Sequence, residues 1–257
     1  MTQPALGDIA ARLWNSRQAG DPFPEWLNGA LTVEDALATQ LLLLEREQAR
    51  GEQLAGWKIG LTSPRARAAL KADARPFGYI LARRVFAAPA IVEASSISGP
   101  AIEPELCFTF GRALSGAAVT RDDVKAALDS VSAGFEINEA RRGSARPDLP
   151  ALVTDRLTNW GIVMGNGVTV AQAGDLGAIT CRLECDAGTM YEGVSRDELD
   201  DHFDSLTALV RALGRHGRGV DAGQRVITGA FTRREAKPGQ HWRAIYSGIG
   251  EVEVRFT

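Results

Sequence analysis

AIEPELCFTFG, residues 101–111, sets two glutamates two positions apart inside an apolar, β-favouring run. In an extended chain the side chains alternate between faces, so Glu103 and Glu105 point one way while Ile102, Leu106, Phe108 and Phe110 point the other. Two explanations fit. A half-buried strand that turns its polar face to water needs nothing more than this pattern. Alternatively the pair is half of a metal site, because hard cations such as Mg²⁺ and Mn²⁺ take converging oxygen ligands. A third carboxylate from elsewhere would decide between them.

The 257 residues around this stretch are 45% hydrophobic, with a formal net charge of −3. That length suits one large domain, or a domain with a smaller helical lobe. Without a basic surplus, nothing points to nucleic acid or an anionic membrane surface, and small-molecule chemistry fits better. The N-terminus lacks a charged stretch followed by an apolar one, and no apolar segment approaches the ~20 residues that span a bilayer. A cytoplasmic protein is expected. Cys107, Cys181 and Cys185 are odd in number and lack CxxC spacing, so buried thiols explain them better than zinc or disulfides.

Residues 6–19 have helical spacing, and GDPFPEW at 20–26 breaks it with Gly and Pro. In LTVEDALATQLLLLEREQARG, Thr32 can cap a helix, Glu34 and Asp35 suit its positive end, and Gly51 stops it. Residues 1–53 therefore form an N-terminal helical lobe. From Leu54 onward, short apolar runs separated by Gly, Pro and Asp read as strands, giving a mainly β domain over 54–257. SPRARAALKA reads as a short helix starting near Ser63. Two longer helices are expected at 120–131 and 195–217. After the first of them comes SAGFEINEARRG, in which Glu136 and Asn138 alternate with Phe135 and Ile137. Glu136 is thus either another solvated strand position or the missing third carboxylate.

KIGLTS at 58–63, IEPELCFTFG at 102–111, FEINEAR at 135–141, TDRLTNWGIVMG at 154–165, and VITG with PGQHWRAIYSGIGEVEVRF near the C-terminus carry a resemblance. In order and spacing they are similar to the 2-keto-4-pentenoate hydratase branch of the fumarylacetoacetate hydrolase superfamily. The resemblance implies an α+β fold, a mixed β-roll with an N-terminal helical lobe, and homo-oligomers. It also implies Mg²⁺ or Mn²⁺ held by Glu103, Glu105 and Glu136. The implied reaction is addition of water to a 2-hydroxy-2,4-dienoate, with decarboxylation of a 2-oxo-enedioate as the alternative. The chain departs from the family pattern where Asn138, Glu139, Ala140 and Arg141 replace a Val-Asp-Ser-Arg run and Asp155-Arg156 replaces an Asp-Asn pair. RPFG at 75–78 lacks the acidic residue common in the hydratases, and Phe77 there is closer to the decarboxylases.

Lys58, between Trp57 and Ile59 in an apolar strand, is the candidate general acid or base, and burial would lower its pKa. A surface lysine is the bland alternative. Asp155 could orient a water or Lys58, or serve in a turn. Thr228 and Gly229 match a position that binds the substrate carboxylate in the family, and a plain turn explains them as well. Ser63 could help hold an anion or simply cap its helix. His202, His216 and His241 form no recognisable triad, and the absence of a histidine ahead of the ExE strand argues against C–C bond hydrolysis.

Overall fold

The computed structural model describes residues 5–72, 75–186 and 188–257. Two helices, Leu6–Gln18 and Val33–Ala49, open the chain. The second starts at a reciprocal cap, in which Thr32 accepts the Asp35 N–H and the Asp35 carboxylate accepts the Thr32 N–H, two of the otherwise orphaned donors at a helix start. Gly51, with φ of +92°, ends the turn that follows. The apolar face of these helices packs onto a third, Leu149–Thr154, so the helical lobe is joined to the β portion by one continuous core.

The larger sheet runs Phe77–Leu81, Leu54–Ile59, Arg225–Ala230, Pro100–Phe110, Leu128–Glu139, Asn159–Val168 and Val85–Ala87. Leu54–Ile59 lies parallel to Arg225–Ala230, and Val85–Ala87 parallel to Asn159–Val168. The other neighbours are antiparallel. A second sheet, Gly188–Val194, Thr180–Cys185, His241–Tyr246, Gly250–Phe256 and Ala90–Val92, packs against the first. The Tyr246 hydroxyl spans the two sheets by donating to the Gly134 carbonyl at 3.2 Å. This is the α+β fold expected from the sequence: an N-terminal helical lobe on a curled mixed sheet. Among the described residues no helix is long and apolar enough to cross a membrane.

Two helices are shorter than their periodicity predicts. The helix expected at 120–131 ends at Ala127, because Leu128 already enters the long strand beside the ExE strand. The helix expected at 195–217 is split into Ser195–Glu198 and His202–Arg215. Asp200 is drawn out by Arg67 and Arg75, at 2.5 and 2.7 Å, and Asp201 caps the second piece through the Asp204 N–H. Short-range spacing sees neither competitor, since both depend on distant residues.

The register of the sheet builds the site. In the antiparallel pairing Glu103 lies directly opposite Glu136, and Glu105 opposite Gly134. Residues opposite each other share a face, so three carboxylates converge on one patch. Lys58 is delivered to it by the strand Leu54–Ile59, two strands away.

Candidate active site

Glu103, Glu105 and Glu136 offer oxygens within 4.8 Å of one another. Glu105 and Glu136 are buried, at 2% and 0% exposure, which removes the reading of a strand face turned to water. Carboxylates this close repel, and burial penalises their charge further. The protein meets the three unequally. Lys58 Nζ donates to both oxygens of Glu136, at 2.6 and 2.8 Å, and Asn159 Nδ2 adds a third bond at 2.7 Å. Arg233 pairs with Glu103 at 2.9 Å from the cavity mouth. Glu105 receives only the Gly229 N–H, at 2.6 Å. Burial, and then the repulsion of Glu136 and Glu103, holds the Glu105 pKa well above the ordinary carboxylate value. Three hard oxygen donors so placed suit a divalent cation.

A cavity of about 340 Å³ opens over the cluster. Ile59, Leu152, Leu157 and Leu199 supply apolar wall, while Lys58 and Arg233 are its cations. Gly229 forms part of the floor with φ of +118°, and a Cβ there would stand 1.8 Å from the Thr62 hydroxyl. Only glycine keeps the N–H on Glu105.

Lys58 is buried, as expected, but its pKa moves the other way. Burial lowers it, yet the combined attraction of Glu136, Glu103 and Glu105 outweighs burial and raises it. Lys58 is therefore a firmly held ammonium, present in the protonated, hydrogen-bond-donating form. Its remaining contact is the Leu157 carbonyl at 3.4 Å.

The structure separates the other candidates. Asp155 does not line the cavity; it is buried between Arg141 and Arg17, at 2.7 and 3.4 Å. Ser63 lines the cavity and caps the helix Pro64–Leu70, accepting the Ala66 N–H at 3.1 Å. The Thr228 hydroxyl is bonded to His202 Nδ1 at 2.8 Å, while His202 Nε2 meets Ser195 Oγ at 2.7 Å. Phe77 packs edge-on against Trp57 and does not reach the cavity. The residues that depart from the family pattern support the wall: Asn138 accepts from Thr158 Oγ1 at 2.9 Å, and Arg141 holds Asp155.

Sequence reading missed Asn159, Arg233 and the role of His202. His202 is buried at the helix start, where its two hydrogen-bond neighbours are hydroxyls rather than carboxylates. Burial pushes its pKa down to about 4. With the folded value below the unfolded one, the neutral ring stabilises the fold above the ordinary imidazole value of 6.5, and this contribution is lost as pH falls towards 4. Proton NMR of the three histidines is expected to show His202 neutral at pH 5.5; a ring titrating near 6.5 would contradict the buried, hydroxyl-bridged placement.

No family model matches the chain. Among curated proteins, a 2-keto-4-pentenoate hydratase of Paraburkholderia xenovorans is 26% identical over the whole chain and 96% of its own length. A 4-oxalocrotonate decarboxylase of Pseudomonas putida is 27% identical over 88% of the chain and 86% of its length. Among solved structures, a 4-oxalocrotonate decarboxylase from Pseudomonas putida complexed with magnesium and adipate superposes with a TM-score of 0.89, at 23% identity, covering 100% of this chain and 99% of that one. End to end, the chain is thus similar to hydratases and decarboxylases of this kind, and it shares the fold of the solved 4-oxalocrotonate decarboxylase.

Proposed function

We propose that the chain is a metal-dependent lyase acting on 2-hydroxy-2,4-dienoates or their 2-oxo tautomers, adding water to give a 4-hydroxy-2-oxo acid. The observation that carries this reading is the buried three-carboxylate cluster with Lys58 hydrogen-bonded to one member. Glu103, Glu105 and Glu136 would hold Mg²⁺ or Mn²⁺. When bound, such an ion supplies a Lewis acid that stabilises enolate charge at the substrate 2-oxygen.

The chain's own residues do the rest. Lys58, fixed by Glu136 and the Leu157 carbonyl, delivers a proton to a carbon of the diene and takes up the one released by the 2-hydroxyl, so that the 2-hydroxy-diene becomes the 2-oxo form. The leucines at 152, 157 and 199 bracket the diene and limit water in the cavity. Asp155, once a candidate for orienting water, acts through Arg141 and Arg17 on the shape of the wall.

Decarboxylation of a 2-oxo-enedioate is the second reading, and Arg233 favours it. A second carboxylate on the substrate could reach this guanidinium at the cavity mouth. In that reaction the bond to the departing carboxylate breaks, its electrons enter the enolate, and Lys58 returns the proton. A panel of 2-hydroxy-2,4-dienoates and 2-oxo-enedioates, followed by ultraviolet absorbance and CO₂ release, separates the two. The hydratase reading expects loss of dienoate absorbance without CO₂; CO₂ from a dioate would replace it with the second reading, and no turnover would refute both.

A further inference from the structure

Behind the cavity wall lies a second hollow of about 230 Å³, with a different chemistry. Five arginines line it, at positions 17, 83, 84, 141 and 156, against two glutamates, Glu47 and Glu139. Three of the arginines already have carboxylate partners. Arg83 pairs with Glu52 at 2.6 Å, while Arg141 and Arg17 share Asp155. Arg84 and Arg156 form no ion pair among the described residues. Instead they lie over aromatic rings, Arg84 at 3.9 Å from the Trp160 centroid and Arg156 at 5.2 Å from that of Tyr79. Buried Nε atoms of Arg17 and Arg156 have no hydrogen-bond partner. Aromatic faces orient guanidiniums without neutralising them, and unpaired buried donors are costly.

The backbone reinforces the point. Arg156, Leu157 and Thr158 have φ of 58°, 53° and 67°, a run of three non-glycine residues in the left-handed region that side chains disfavour. Through this turn the Arg156 side chain goes to the arginine hollow, while Leu157 and Thr158 go to the catalytic cavity. Strain of this kind persists where the surroundings over-determine it, and the Tyr79 ring is the contact that holds the Arg156 guanidinium on the hollow's side of the turn.

We propose that the hollow is a second, anion-binding site, taking a small multivalent oxyanion between the guanidiniums of Arg84 and Arg156. Planar guanidiniums held by aromatic stacking are ready for two-point contacts to a phosphate or carboxylate group. Burial, together with the nearby guanidiniums, pulls Arg84 below the usual arginine value, whereas the attraction of Tyr79, Asp155, Glu47 and Glu139 outweighs burial and raises that of Arg156.

Inorganic phosphate, titrated calorimetrically into the full chain, tests this. Saturable binding is expected, weakened about tenfold or more by Arg84→Gln and by Arg156→Gln but unchanged by Arg233→Gln, which alters the catalytic cavity instead. Arg84 is partly exposed, so Arg84→Gln decides the matter even if Arg156→Gln fails to fold. No saturable binding, equal affinity in Arg84→Gln, or loss only in Arg233→Gln would overturn the proposal. So would a changed assembly state of Arg84→Gln in sedimentation with phosphate affinity intact, which would make the cluster a contact between copies.

Discussion

Lys58→Met is expected to lower kcat by roughly 10²–10⁴-fold while leaving KM within a few-fold, the usual size of a lost general acid or base. Methionine keeps the unbranched apolar stem of this buried strand residue and removes only the ammonium. The same change strands Glu136 with Asn159 as its remaining side-chain partner. Breaking one side of a buried ion pair costs about 3–5 kcal/mol, so the metal-free variant should also melt earlier. Kinetics therefore belong at saturating Mg²⁺, with circular dichroism confirming the fold. A raised KM with kcat intact would make Lys58 a substrate anchor, and unchanged constants would refute its assignment.

The second large effect is linkage between metal and stability. At a metal concentration of 100 times Kd, binding to the folded state alone adds about 2.7 kcal/mol, which corresponds to a rise in Tm on the order of 5–10 °C for a chain of this size. Glu105→Gln should remove most of that gain. It should not destabilise the metal-free protein, because it deletes a buried like charge and leaves an amide oxygen to accept the Gly229 N–H. The direction with pH follows from the raised Glu105 value. The folded state binds more protons than the unfolded chain above the ordinary carboxylate value of 4.5, so the metal-free fold loses stability as pH rises through the folded pKa. The gain on adding metal is accordingly larger above the folded pKa of Glu105 than below it. An equal metal response in Glu105→Gln, measured by thermal shift, would remove Glu105 from the ligand set.

The period-two pattern around Glu103 and Glu105 was legible because a strand's geometry alone puts them on one face. Glu136 was legible as a strand glutamate, but its position opposite Glu103 depends on register, and only the resemblance suggested it. Lys58 was found for its apolar neighbours, yet the direction of its pKa was not. Burial can be read from flanking residues, whereas the winning term comes from carboxylates brought in by two other strands. Asp155 sits in sequence beside residues that do reach the cavity, but its side chain is captured by Arg17, far earlier in the chain. Thr228 is likewise diverted to His202, and Arg233 enters the site only because the strand Arg225–Ala230 delivers its loop to the cavity mouth.

The most direct test of the account is turnover of a 2-hydroxy-2,4-dienoate, or of a 2-oxo-enedioate if the panel selects one, by protein stripped with a chelator and then given Mg²⁺ or Mn²⁺. Activity is predicted to vanish on stripping, to return on adding either ion, and to stay absent in Glu136→Gln at any metal concentration that restores the parent. Full activity in the stripped protein, or in Glu136→Gln, would contradict a metal centre built on these three carboxylates.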